Sequence, residues 1–152
     1  MLSTVANLSN DAFSPVDFGL NLKRAQHVLG LRIDDALRPL GLNLGLWGVL
    51  RELADAPGAS ASELGRASFH TPQTVGGLLQ RLADHGLVER SSGRGRIVDN
   101  HLTAKGAKVL RQATATADDV IRDSLAGLDA THSAQANEFL TAYVTALTKP
   151  TD

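Results

Sequence analysis

Residues 60–102, SASELGRASFHTPQTVGGLLQRLADHGLVERSSGRGRIVDNHL, leave this chain few ways to fold. Ser60 or Ser62 can cap a short helix that carries Glu63 in its first turn and directs Leu64 and Ala67 inward. Ser68, Phe69 and His70 form a turn, after which Thr71 caps a second helix. Pro72 takes its first position, where a missing N–H does no harm. Val75, Leu78, Leu79 and Leu82 recur at i, i+3, i+4 and i+7 and mark the buried side, and Gly86 ends the helix. LVERS (87–91) and RIVDNHL (96–102) are short strand-like runs around the Gly- and Arg-rich SGRG, so a hairpin with a basic tip follows.

The flanks supply more helices. From Phe18, the apolar residues Leu22, Ala25, Leu29, Ile33, Ala36 and Leu40 recur at steps of three or four and predict a helix that Pro39 and Gly41 end. Asn43 caps the next, in which Leu46, Trp47, Leu50, Leu53 and Ala54 face inward. Thr103 begins a long helix with Leu110, Ala113, Ala117, Val120, Ile121 and Leu125 on one side, closed by Gly127. Asp129 caps a last one striped by Phe139, Leu140, Tyr143, Val144 and Leu147. The predicted fold is mainly α with a small β-hairpin wing: six helices arranged as a winged helix-turn-helix. Its units are an arm at 1–17, a helix at 18–42, a winged lobe at 43–102 and two helices at 103–152. Gly76 and Gly77 stand out, because each costs about 1 kcal/mol relative to alanine in a helix interior. They lie mostly off the buried stripe. Either they let the backbone approach a ligand closely, or they permit tight packing against another helix.

Composition removes several classes of function. There is no cysteine, which excludes disulfides and thiolate metal sites. The five histidines, His27, His70, His85, His101 and His132, are dispersed and form no HExxH-like spacing. No GxSxG, Walker loop or GxGxxG is present, and GRG in the hairpin is too short to cradle phosphate. No catalytic residue, metal ligand or cofactor is therefore expected. The amino terminus lacks a signal-peptide pattern and no apolar run approaches about 18 residues, so the reading is cytoplasmic with no membrane partner. Net charge is −1. Residues 81–111 hold seven Arg/Lys against three acids, +4, and residues 112–152 hold two against six, −4. The basic stretch coincides with the end of the second helix of the pair and with the hairpin.

The segments GLNLGLWGVLRELA, SASELGRASFHTPQTVGGLLQRLADHGLVER and LTAKG resemble the MarR family of bacterial transcriptional regulators, over about Phe18 to Leu147. The resemblance implies a homodimer in which the terminal helices of two subunits pair, and a partner in double-stranded DNA carrying an inverted repeat. It implies no enzymatic activity. Carried residue by residue, it places Gln73 and Thr74 at base edges, where an amide can pair bidentately with adenine. Thr71 and Pro72 fall at the helix N-terminus near a phosphate, and Ser60 and Ser62 at the start of the preceding helix. Gly76, Gly77 and Gln80 lie along the DNA-facing side. Arg81 touches a phosphate or braces the fold. Arg96 falls at the wing arginine that enters the minor groove. Arg94 stands where an aspartate usually orients that arginine, and the wing is about two residues shorter than the commonest pattern. Members of the family often respond to small anionic aromatic molecules. Lys23, Arg24, His27 and Trp47 are the candidates here for such an effector, since a cation beside an aromatic wall suits a carboxylated ring. A different class of function, a winged-helix module that docks a protein and no DNA, is the alternative.

Overall fold

The computed structural model describes residues 13–92, 95 and 97–150. The elements are α1 (Pro15–Leu37), a 3-10 turn (Arg38–Leu40), α2 (Leu44–Asp55), α3 (Ala61–Ser68), α4 (Pro72–Asp84), β1 (Val88–Ser92), β2 (Val98–Leu102), α5 (Ala104–Leu125) and α6 (Ala130–Thr148). The predicted six helices and hairpin are all present. Each helix starts where a short polar side chain can accept from an otherwise unpaired N–H, which is worth about 1 kcal/mol per cap. Asn43 accepts from Leu46 N at 2.9 Å, Thr103 from Gly106 N at 2.9 Å and Asp129 from His132 N at 3.0 Å. Ser60 and Glu63 form a reciprocal capping box. Ser14 caps α1, with Pro15 in its first turn, so that helix begins three residues ahead of the predicted Phe18.

One core joins the middle of the chain. Leu37 from α1, Leu46, Leu50 and Leu53 from α2, Leu64 from α3, and Val75, Leu79 and Leu82 from α4 are all essentially inaccessible. Leu87 and Val88 close it from the hairpin side, and α5 lies against α1 and α2 through the small residues Ala113 and Ala117. Two inward assignments are corrected, because Ala54 and Ala67 are exposed. In α2 the buried face runs through Val49. In α3 it runs through Leu64 and Gly65, the latter against the His70–Pro72 backbone. The turn is also one residue shorter than predicted, its end at the Thr71 cap unchanged. Ser68 stays in α3, its hydroxyl donating to Leu64 O at 2.8 Å, and Phe69 makes the reversal at φ 57°.

The terminal helices are different. Only the C-terminal half of α1 is covered, through Ile33 and Leu37, and α6 has no buried residue. Phe18, Phe139 and Tyr143 meet at centroid distances of 5.5–6.0 Å and hold the two helices together. No described helix is long and apolar enough to cross a membrane.

Candidate nucleic-acid interface

The helix pair is set by a residue that periodicity does not single out. A Cβ on Gly65 would stand 2.7 Å from His70 O and 3.4 Å from Pro72 N, so only glycine lets α3 approach the turn this closely. Gly106 does the same for the hairpin. A Cβ there would overlap the Leu87 carbonyl oxygen, and the Thr103 N–H donates to that same oxygen at 3.1 Å. Gly65 thus seats α3 on the turn into α4, and Gly106 seats the start of α5 on the entry to β1.

Packing of Val75, Leu79 and Leu82 turns the opposite side of α4 to solvent, and there Gln73, Thr74, Gly77, Gln80 and Arg81 are exposed. Among the described residues, nothing lies within 4 Å of a Cβ built on Gly76 or Gly77. Packing among the described residues of this chain therefore does not require either glycine. At the head of α4 the Thr71 hydroxyl accepts from Thr74 N at 3.2 Å, and the two hydroxyls are 2.9 Å apart. Pro72 has no N–H to offer. Gln73 is thus the first-turn residue of α4 whose backbone N–H has no partner among the described residues.

Two predicted contacts already have intramolecular tasks. Ser60 donates its N–H to Glu63 Oε2 at 2.8 Å and its hydroxyl to the same oxygen at 2.9 Å. The Ser60 backbone N–H, ahead of its hydroxyl, holds the Glu63 carboxyl below the ordinary carboxylate range. Ser62 stays exposed. The Gln80 side chain accepts from Arg90 Nη1 at 2.9 Å and donates to Asp84 Oδ1 at 2.9 Å. Arg90 in turn donates from Nε to Asn100 Oδ1 at 3.2 Å. Asn100 is 0% exposed and ties the hairpin to the α2–α3 loop, its Nδ2 donating to Ala59 O at 2.8 Å. Apolar patterning gave no sign of Arg90 or Asn100; their positions opposite each other in the hairpin register would have been the clue. An open cavity of about 760 Å³, lined in part by Ser62, Arg66, Arg90 and Val98, separates α3 from the hairpin. Arg94 and Arg96, the predicted wing contacts, lie outside the described residues.

The effector candidates divide. Lys23, Arg24 and His27 are exposed on α1. Trp47 is buried, donates its indole N–H to Thr114 Oγ1 at 3.1 Å, and carries Arg51 at 5.2 Å over its ring. No hydrogen bond among the described residues links the three α1 side chains to Trp47.

Comparison with known proteins adds the family. Residues 40–97 match the MarR family model. The HTH-type transcriptional repressor Rv2887 of Mycobacterium tuberculosis is 39% identical over 99 residues, 64% of this chain and 71% of that protein. Its crystal structure in complex with DNA is similar at a TM-score of 0.71 with 32% identity, covering 86% of this chain and 98% of that one. A MarR-family transcriptional regulator from Rhodococcus sp. RHA1 shares the fold at a TM-score of 0.79 with 22% identity, over 90% of this chain and 96% of that one. The helix pair and hairpin assembled above thus recur in sequence and in space, and this chain belongs to the MarR family.

Proposed function

We propose that this chain acts as a homodimer that binds an inverted repeat in double-stranded DNA, represses transcription there, and releases the site when it takes up a small anionic aromatic molecule. The observation that carries the reading is the outward face of α4. It is solvent-exposed and bare at Gly77, and it presents Gln73, Thr74 and Arg81. Such a face fits a major groove, with Gln73 reading a base edge and Arg81 meeting a phosphate. The wing contribution, Arg94 and Arg96 against the flanking minor groove, rests on the sequence.

Dimerisation is supported by α1 and α6. Helix α6 has no fully buried residue and meets α1 through Phe18, Phe139 and Tyr143, which leaves most of its apolar face for another surface to cover. Leu20, Leu31, Phe139, Leu140, Val144 and Leu147 are all exposed apolar side chains on these two helices. A second copy covers both faces at once and sets two α4 helices on one side of the duplex, the arrangement an inverted repeat requires. The effector class is supported by the relative, since Rv2887 has been crystallised in complex with p-aminosalicylic acid and with salicylic acid. In this chain Lys23, Arg24 or His27 would meet the carboxylate. Trp47 offers only its ring, because Thr114 already takes its N–H.

The test is a selection from random duplexes followed by a salt titration of the enriched sequence. DNA binding predicts log Kd rising with log salt at about 0.9 per phosphate neutralised, and a drop in affinity on adding salicylate. A protein-docking module would enrich no duplex and show a weak salt response. Gln73→Ala should relax base preference at one position per half-site, at a cost of about 1–3 kcal/mol. Unchanged preference would remove Gln73 from the site.

A further inference from the structure

We infer that Gln80 and Arg90 form a bridge that fixes the hairpin to α4, making both of them positioning residues for the wing and confining base reading to the first turns of α4. The inference rests on the DNA-binding reading above and assigns a different task to the exposed glutamine that the family resemblance places on DNA.

Bidentate pairing with adenine needs the oxygen and an N–H of one amide edge. In Gln80 both ends of the amide are engaged, the oxygen by Arg90 Nη1 and the nitrogen by the Asp84 carboxylate, each at 2.9 Å. Both bonds involve a charged partner, which makes them stronger than neutral ones. Gln73 has no such partner among the described residues, so the two glutamines are not equivalent.

The bridge also has a rigid far end. Asn100 sits in β2 directly opposite Arg90 in β1 and is fully buried. It accepts from Arg90 Nε, donates to Ala59 O at 2.8 Å and Val98 O at 3.2 Å, and accepts the Gly58 N–H on its own carbonyl at 2.8 Å. A continuous path therefore runs from the α2–α3 loop through Asn100 and Arg90 to Gln80 and Asp84. An open cavity lies between α3 and β2, lined on the hairpin side by Arg90, Ile97, Val98 and Asp99. With two guanidinium nitrogens spent inside the lobe, Arg90 is directed at α4 and adds a side-chain tie between the hairpin and that helix.

The test compares wild type, Gln80→Met, Arg90→Met and the double variant. Both side chains lie outside the core, and thermal midpoints confirm folding. Amide exchange across Val98–Leu102 is read in the free protein. Affinity is read on the duplex most enriched by wild type, with substitutions either inside the half-sites or in the bases flanking them. Each single variant should speed hairpin exchange by about 3- to 10-fold, the range one hydrogen bond accounts for, and the double variant should add little. All three should lose preference at flanking bases and keep it at inner ones. A merely structural role would lower affinity for every duplex alike. The inference is overturned if Gln80→Met changes inner-base preference and leaves hairpin exchange untouched. It is also overturned if Arg90→Met alone flattens the salt slope by about one phosphate, the sign of a direct contact. Should wild type enrich no duplex, the DNA-binding reading fails by itself, and the exchange measurement still decides the bridge: faster exchange supports it and unchanged exchange refutes it.

Discussion

Alanine at Gly76 and Gly77 separates folding from function in one experiment. Glycine in a helix interior costs about 0.8–1 kcal/mol relative to alanine, chiefly through the freedom of the unfolded chain. That gain is realised only if the new methyl meets nothing, and among the described residues no atom lies within 4 Å of either Cβ position. The double variant should therefore gain about 1.5–2 kcal/mol. At about 2–4 °C per kcal/mol for a chain of this size, its thermal midpoint should rise by about 3–8 °C at fixed protein concentration. If the bare strip serves close approach to DNA, the two methyls hold α4 off the groove and affinity for the selected duplex falls about tenfold, within the cost of overpacking a tight contact. Gly106→Ala is the contrast. Its Cβ would overlap the Leu87 carbonyl oxygen and stand 2.9 Å from the carbonyl carbon, so it should lose at least about 3 kcal/mol. A lowered midpoint for either α4 single variant would refute the packing argument. A raised midpoint with unchanged DNA affinity would refute the close-approach argument.

Phe69 pays for its backbone: at φ 57° with 73% of its surface exposed, it should yield about 1 kcal/mol of stability when replaced by glycine, read as a shift in urea midpoint. The lowered Glu63 carboxyl means its cap contributes fully above the unfolded-state pKa and is lost as pH falls through the folded-state value. Glu63→Gln should remove that part of the acid dependence, and identical pH profiles would exclude it. Charged replacement of Leu140 and Leu147 together should give monomers by light scattering, and a monomeric wild type at micromolar concentration would sink the dimer.

Most of the architecture was legible because local rules repeat. Ser60, Thr71, Thr103 and Asp129 are caps by residue type, Gly86 is a stop, and 3.6-residue stripes named most of the core. The misjudged positions, Ala54 and Ala67, are small residues at the edge of a stripe, where burial depends on which neighbour arrives. Of the candidate site, the outward face of α4 followed from its buried one, whereas the commitments of Gln80 and Ser60 did not.

The elements and their order could be read along the chain, because capping, periodicity and turn chemistry act within a few residues. Tertiary structure alone decided that Gly65 and Gly106 are required by close backbone approach while Gly76 and Gly77 are not, and that Asn100 anchors Arg90 and through it Gln80. The physical reason is the same in each case. What a glycine permits, or an amide bonds, is fixed by a neighbour distant in sequence, Leu87 for Gly106 and Ala59 for Asn100, and no local pattern records which neighbour that will be.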